Sequence, residues 1–572
     1  MANASFFPSS AAPANSSTVR DVFLLLVLAS LLLFVNLGGL GLTDRDEGSN
    51  AEAGREMLET GDWISPTLNY EPRYAKPAFV YWLLSLSYAV FGVNEFAARF
   101  PSAVFGVGLI LLQYGFLAKM MGARVALFGA LILLLNLETI GICRMVLTDP
   151  ELVFFTTLAG YGFWVGLEGE EDTRRWAFGG FYVGMACAML AKGPVGIIIP
   201  LVAAIPYLFI TRQWNVFWKK GFPLLGMLIV CVIAAPWYVA MFSIHGTDYL
   251  AAARANTTGR FANPMEGHGG TILFYIPVLL LGFFPWSAFL PASLYQILRD
   301  CNGFRAKTCV ATPEQKLLMF SGLWIVGILV FFTLSATRLP HYIFPLYPSA
   351  AIIVALFWVR SLQEPSPVGL TVSRRVLIAT GYIFGLALAA APAVYNTFVN
   401  KMTEEFPAAS QMDVQLIPVM LGLVVIIGTM GVRYCLEDQA KRLYGFGVAG
   451  GMMAVFVLSV VSFALPKFSH FFIDPPQELA RIAAMNLSKE DRLIQFGRKR
   501  PSLTFYAQRK IYQINPGEDE KFQPHVKTAG RTMIILQSHL RGKLPASVSD
   551  YPEVLKNNGF SLLASESLVK ER

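Results

Sequence analysis

Long apolar runs broken by short polar stretches fill the first 465 residues of the chain. Those long enough to cross roughly 30 Å of hydrocarbon lie near 21–42, 100–118, 125–142, 151–167, 176–191, 194–210, 222–243, 271–297, 317–335, 342–359, 376–396, 414–432 and 443–465. This pattern predicts thirteen transmembrane helices. The shorter run 77–93 has 17 residues, only about 25 Å at roughly 1.5 Å each, and the polar Asn94, Glu95 and Arg99 follow it. Parity decides its role. If 77–93 does not span, the loops carrying Lys119/Arg124, Arg174/Arg175, Arg212/Lys219/Lys220, Arg299/Arg305/Lys307, Arg360/Arg374/Arg375 and Arg433/Lys441/Arg442 share one side, which the positive-inside rule makes cytoplasmic. If it spans, all of them move outside. The run is therefore expected to be re-entrant or to lie on the surface.

The same parity divides the chain into a cytoplasmic tail (1–20), a membrane domain (21–465) whose first outer loop is 43–99, and a soluble outer domain (466–572). In the last, the short runs "RLIQF" (492–496), "SLTFYA" (502–507) and "TMIILQ" (532–537) alternate with polar and amphipathic stretches, as in a small α/β unit. The expected fold class is a polytopic α-helical membrane protein with a C-terminal α/β domain.

Composition agrees: 55% of residues are hydrophobic and 15% charged over 572 residues, which excludes a soluble protein. The net charge of +8 is scattered over short loops, the signature of membrane orientation rather than of nucleic-acid binding. Six cysteines without a CxxC pair indicate neither a zinc site nor a disulfide framework. Serine-hydrolase, zincin, Walker and Rossmann motifs are missing in a fitting context, which argues against those chemistries.

Chemistry gathers in the outer loops. "SNAE" (49–52) has the form of a capping box, with Ser49 as N-cap and Glu52 as its partner, opening a helix to about Glu59. Asp46 and Glu47 then sit ahead of a helix N-terminus, whose dipole favours the ionised carboxylate. "TDPE" (148–151) places Asp149 as the cap of the next outer helix start, with Pro150 in its first turn and Glu151 behind it. Two acid clusters on one membrane face can converge to deprotonate an alcohol or cradle a divalent cation. The bases are complementary: Lys76 before Pro77, Lys192 in "AKGP", Arg260 and His268 flanking a Gly-rich loop, and Arg338, His341 and Tyr342 ahead of a span. A charge at membrane depth costs roughly 2.5–3.5 kcal/mol on insertion scales and usually faces a cavity. Several cations there suit an anionic head group such as a lipid-linked phosphate.

The stretch "RDEGSNAEAGREMLETGDWISPTLNYEPRYAKPAFVYWLLSLSYAVFGVNEFAARFPSA" resembles the first outer loop of the GT-C membrane glycosyltransferases related to lipid A 4-amino-4-deoxy-L-arabinose transferase and protein O-mannosyltransferases. "LTDPELVFFTTLA", "AKGPVGIIIP", "HGGTILFYIPVLLLGFFPW" and "SATRLPHYIFPLYP" follow in that family's order. The resemblance implies a GT-C fold in a bacterial inner membrane. It implies transfer of a sugar from a polyprenyl-phosphate donor, at the periplasmic face, to a lipid (lipid A among them), glycan or protein acceptor. Asp46, with Glu47 and Asp149, would be catalytic; Lys76, Lys192, Arg260, His268, Arg338 and Tyr342 would hold the donor phosphate. A divalent cation on Asp46, Asp149 and His268 is an optional addition. Arg338 stands where the family commonly has Lys. Ser49 and Asn50 replace a family Arg and Tyr, and Ala75 replaces a Glu, which removes an expected phosphate partner and an expected metal ligand. The competing readings are a transporter or flippase and a non-catalytic binder of lipid-linked sugar.

Overall fold

The computed structural model describes residues 16–264, 270–300, 312–403, 405–527 and 531–570. Eight of its helices are long and apolar enough to cross a membrane, and up to ten if each of two bent pairs is one span. The first is α1 (Ser16–Phe34), which buries Leu25, Ala29, Leu32 and Leu33 and turns Phe23, Leu24, Val27 and Leu31 outward. After the first loop come α4 (Glu95–Met121) and the bent pair α5 (Ala123–Leu134) and α6 (Leu137–Cys143). The runs 151–167, 176–191 and 194–210 fold as α7 (Asp149–Glu168), α8 (Glu171–Lys192) and α9 (Val195–Thr211). A short α10 (Trp214–Gly221) leads into α11 (Pro223–Arg254). The hairpin of α7 and α8 closes on glycine: a Cβ at Gly162 would lie 2.5 Å from the Ala177 carbonyl, and one at Gly184 2.7 Å from that of Phe155.

Charges at one end of the bundle pair locally. Glu168 accepts from Tyr207 Oη, Gln213 and Lys316, Glu171 pairs with Arg174 and Lys220, and Arg360 meets Glu314. The other end carries the extramembrane structure. There α2 (Asp46–Thr60) is followed by a two-strand hairpin, β1 (Thr67–Leu68) and β2 (Glu71–Pro72), and by α3 (Phe79–Phe91). The 13 residues of α3 make about 20 Å, too short to cross the hydrocarbon. The helix lies against α2 instead, with Ser85 Oγ donating to the Gly54 carbonyl and Tyr88 Oη to that of Ala51.

The last hundred residues form a five-stranded sheet of order β4-β3-β5-β7-β6, made of β3 (Arg492–Phe496), β4 (Ile511–Ile514), β5 (Thr532–Gln537), β6 (Glu553–Asn557) and β7 (Phe560–Ala564). The strands β4, β3 and β5 run parallel, and β7 pairs antiparallel with β5 and β6. Parallel neighbours need a crossover, so "SLTFYA" is the connecting helix Ser502–Ala507. Period-two alternation sends Ile494, Phe496, Ile534 and Leu536 to one face. Leu493, Met533 and Ile535 turn to the other, where they share one core with Ala51, Met57, Tyr81 and Leu84 of the first loop. The sheet and the first loop are thus one packed body.

Their seam is polar and specific. Asp44 accepts from Ser502 N–H and from Ser502 Oγ at 2.6 Å, and pairs with Arg500 at 3.2 Å. Asn69 trades two 2.8 Å hydrogen bonds with the backbone of Ile511. A Cβ on Gly48 would meet the Ser502 backbone at 2.8 Å, so only glycine permits this approach.

Two helix starts differ from expectation. The capping box does not form: α2 begins at Asp46, with Arg45 (φ 70°, ψ −106°) as an N-cap that makes no side-chain capping bond. Ser49 is buried inside the helix, and Glu52 pairs with Arg55 at 2.7 Å. The cause is Glu47. Its carboxylate is held by Arg99 Nε at 2.8 Å and Nη2 at 3.0 Å, by Thr43 N–H and Oγ1, and by Val146 N–H, which pulls the first turn inward and leaves no room for Ser49 to lead it. Likewise α7 starts at Asp149 itself, with Thr148 before it; the Asp149 carboxylate is drawn away from capping by Lys192.

Glu47 and Arg99 are 1% and 2% exposed. Breaking a buried ion pair by removing one partner typically costs about 3–5 kcal/mol. Arg99→Met is therefore expected to lower stability by about that amount, read as the unfolding midpoint of the detergent-purified protein.

Candidate active site

The site is built from six stretches at the same end of the bundle. The hairpin β1–β2 delivers Tyr74 and Lys76; α2 starts at Asp46; the stretch 144–148 leads into Asp149; α8 ends at Lys192; α11 runs out to Arg260; and the segment after Leu334 carries Arg338, His341 and Tyr342.

Asp149 is the hub. Its Oδ1 takes Lys192 Nζ at 2.7 Å, and its Oδ2 lies 4.0 Å from His341 Nε2. The Lys192 ammonium also stands 5.2 Å over the Tyr342 ring, a cation–π contact. Gly193 (φ 81°, ψ −157°) makes the tight link to Pro194 possible, its N–H returning to the Met189 carbonyl at 2.7 Å.

Lys76 faces this hub. Burial pushes its pKa down, and the nearby charges of Lys192 and Arg260 push in the same direction, against Asp46 and Asp149, to about 7. Asp46, Asp149, Lys192 and Arg260, predicted separately from the sequence, all lie within electrostatic reach of this one ammonium. Asp46 is exposed and makes no hydrogen bond or ion pair among the described residues.

Arg260 follows a wide helical turn at Ala255–Gly259. Backbone bonds from Thr337 N–H to the Arg260 carbonyl (3.2 Å) and from Ala336 N–H to that of Phe261 (2.9 Å) dock this segment on the one leading to His341. Arg338 donates to the Gly270 and Thr333 carbonyls. The Nε of both arginines is buried without a hydrogen-bond partner among the described residues, as is suitable for donors that meet an anion. His268 lies outside the described residues.

Glu47 has no carboxylate oxygen left for substrate. Burial alone would raise its pKa, but Arg99 and the hydrogen bonds from Thr43 hold it below the usual carboxylate range. Its place is directly after Asp46 in the first turn of α2, as an anchor. Asn50, a turn further, does similar work: its Nδ2 donates to the Val146 carbonyl at 3.0 Å and its Oδ1 accepts from Arg73 Nη2 at 3.3 Å. One face of α2 thereby holds both the stretch before Asp149 and the stretch before Lys76. Sequence reading passed over Arg99, Arg73 and Asn50 as positioning groups; the available signal was an arginine only four residues inside an apolar helix.

For a divalent cation the described donors fit poorly. Among the described residues no three His, Cys, Asp or Glu side chains form a group that could hold one, and the Asp149 oxygens are turned to Lys192 and His341. The arrangement instead brings cations together with one paired acid, with a second acid exposed at its edge.

The dolichyl-phosphate-mannose-protein mannosyltransferase family profile matches residues 22–250. An uncharacterized protein of Aquifex aeolicus is 32% identical over 342 residues, 59% of this chain and 73% of that one. The undecaprenyl phosphate-alpha-4-amino-4-deoxy-L-arabinose arabinosyl transferase of Edwardsiella ictaluri is 32% identical over 337 residues, 58% of either chain. The fold is that of the crystal structure of ArnT from Cupriavidus metallidurans bound to undecaprenyl phosphate, at 22% identity, with a TM-score of 0.77 over 96% of this chain and 98% of that one. The chain belongs to the GT-C membrane glycosyltransferases that include these arabinosyl transferases and the protein mannosyltransferases.

Proposed function

We propose that this protein transfers a glycosyl group from a polyprenyl-phosphate donor to an acceptor hydroxyl or phosphate on a lipid such as lipid A, on a glycan or on a protein. The observation that supports this most is that Lys76 lies within electrostatic reach of two further cations, Lys192 and Arg260, and of Asp149, the carboxylate paired to Lys192. Like charges held together in a poorly solvated site repel one another and are stabilised when an anion joins them. The names of the arabinosyl-transferase relatives supply the chemistry of that anion, a polyprenyl phosphate. If α7, α8 and α9 cross along with the ten spans that include both bent pairs, the spans number thirteen, and with a cytoplasmic N-terminal tail the site and the C-terminal domain lie on the periplasmic face of the inner membrane.

The reaction is a single displacement. The acceptor oxygen attacks the anomeric carbon, and the bond from that carbon to the phosphate oxygen breaks with inversion. The proton of the acceptor passes to Asp46, which is exposed and unpaired at the edge of the cluster. The phosphate carries one negative charge as a diester and gains a second as it leaves. Lys76, Arg260 and Arg338 are placed to stabilise that developing charge. Lys192 is committed to Asp149 and to the Tyr342 face, and tunes the cluster from behind. Glu47 acts through position alone. No step is routed through a metal ion.

Asp46→Asn is expected to lower transfer from a labelled polyprenyl-phosphate sugar by about 10²–10⁴-fold, the usual worth of a general base, while undecaprenyl phosphate still binds. Near-normal transfer by this variant would remove Asp46 from the role. A pH dependence follows from Lys76. Below pH about 7 the free protein already carries its charge. Above that pH, binding a phosphate must take up a proton, so affinity falls as pH rises, by up to about tenfold per unit. Titrating undecaprenyl phosphate between pH 6 and 9 should show this slope in the wild type and a flatter one in Lys76→Arg, whose guanidinium stays charged.

A further inference from the structure

We infer that His245 is a positioning residue for this reaction, a clamp that sets Lys76 relative to Arg260; the inference rests on the transfer chemistry proposed above. Outside the known cluster, His245 is the imidazole with both ring nitrogens engaged by side chains from another part of the fold. Its Nε2 lies 2.8 Å from Ser65 Oγ and its Nδ1 3.2 Å from Tyr74 Oη. Ser65 precedes β1 and Tyr74 follows β2, so one ring pins both legs of the hairpin that delivers Lys76 two residues later. The Tyr74 ring packs edge-on against the imidazole at 5.2 Å and against Tyr249 at 5.9 Å.

The other side of the clamp is α11. Eight residues before His245, and so near the same helical face, Trp237 Nε1 donates to the Ile64 carbonyl at 3.0 Å. Beside it, Tyr238 Oη donates to the Met189 carbonyl at 2.9 Å, one turn before Lys192. Directly after His245 the helix changes direction at Gly246 (φ 54°, ψ −130°), a backbone state that favours glycine, and then runs to Arg260. A single strut therefore touches the hairpin of Lys76 and the end of α8 that bears Lys192, and carries Arg260 itself. His245 holds its last fixed point before the bend.

Chemistry suits the residue. A neutral imidazole has one N–H donor and one acceptor nitrogen, and the two hydroxyls can each give or take a hydrogen bond, so both contacts are satisfied without a charge. A leucine keeps bulk but loses both. The cations oppose a phosphate whose charge doubles as it leaves, so a displaced Lys76 weakens the transition state and the released polyprenyl phosphate more than the bound donor.

The test uses the full-length protein in detergent or nanodiscs, with a labelled polyprenyl-phosphate sugar for turnover and undecaprenyl phosphate alone for binding. His245→Leu is expected to lower kcat by up to about 10²-fold, the scale of a 1 Å misplacement remote from the chemistry. Undecaprenyl phosphate affinity should fall alongside, with donor KM changed by less than threefold and the unfolding midpoint near wild type. His245→Gln, which retains an amide donor and acceptor, should recover most of the loss. Tyr74→Phe should reproduce part of it, and the pair His245→Leu with Tyr74→Phe should be no worse than His245→Leu alone. Wild-type kcat and phosphate affinity in His245→Leu would overturn the proposal, as would additive losses in the double variant. A wild-type protein that neither binds undecaprenyl phosphate nor uses polyprenyl-linked sugars would instead sink the transfer reading. If His245→Leu fails to fold, Tyr74→Phe and Ser65→Ala, which each remove one partner of the ring, decide instead: wild-type kcat and phosphate affinity in both would overturn the proposal.

Discussion

A guanidinium shut away from water has to find an acceptor for each of its five N–H groups, and Arg99 finds them in two places. Three carbonyls, of Leu37, Leu40 and Gly41, come from the turn by which the chain leaves the membrane after α1, and the carboxylate of Glu47 comes from the first turn of α2. The exit of the first helix, the start of α4 and the direction of α2 are thereby tied to one point. Because Glu47 also accepts from Val146 N–H, the same point governs the stretch that leads to Asp149. Asp46 faces outward only because its neighbour faces inward. The C-terminal sheet leans on the result: Asp44, on the approach to α2, receives the Ser502 helix start, and Gly48 on α2 lets that helix come close.

The site draws its chemistry from imbalance. Lys192 has a full partner in Asp149, whereas the Arg260 and Arg338 Nε groups have none among the described residues, and Lys76 is pushed towards neutrality by burial first and by the nearby cations second. Such an arrangement costs folding energy that the Glu47–Arg99 anchor and the shared core beneath the sheet must offset. In the proposed reaction charge would enter with the phosphate and Lys76 would take up its proton at that moment, which would couple donor binding to the electrostatic state that the leaving group requires.

Much of this was legible in the sequence because it rests on local rules. Hydropathy marked the membrane helices, length set the 77–93 run apart, and polar residues at breaks in apolar runs named the acids and bases that meet around Lys76. What stayed hidden depends on partners distant along the chain. Nothing near "SNAE" shows that Arg99 will seize Glu47 and move the helix start ahead of Ser49. Nor does anything near Asp44 show that it will be joined to Ser502, more than four hundred residues later. His245 sits in an unremarked segment of α11 until the fold brings Ser65 and Tyr74 to its two nitrogens.

Asn50 shows how such a partner changes the meaning of a sequence difference. Set against the related glycosyltransferases, Ser49 and Asn50 read as the loss of an Arg–Tyr pair that would have faced the phosphate. In the fold both side chains are buried, and Asn50 uses its amide from both ends, giving to Val146 and taking from Arg73. A tyrosine has a single hydroxyl where the amide has a donor and an acceptor on separate atoms. On the proposed reaction the change at position 50 is a trade of a ligand for a brace: direct contact with the phosphate would fall to Lys76, Arg260 and Arg338, while α2 gains the bond that fixes the stretch delivering Lys76. The brace is also what links the Asp46 end of α2 to the hairpin on which His245 closes from the opposite side.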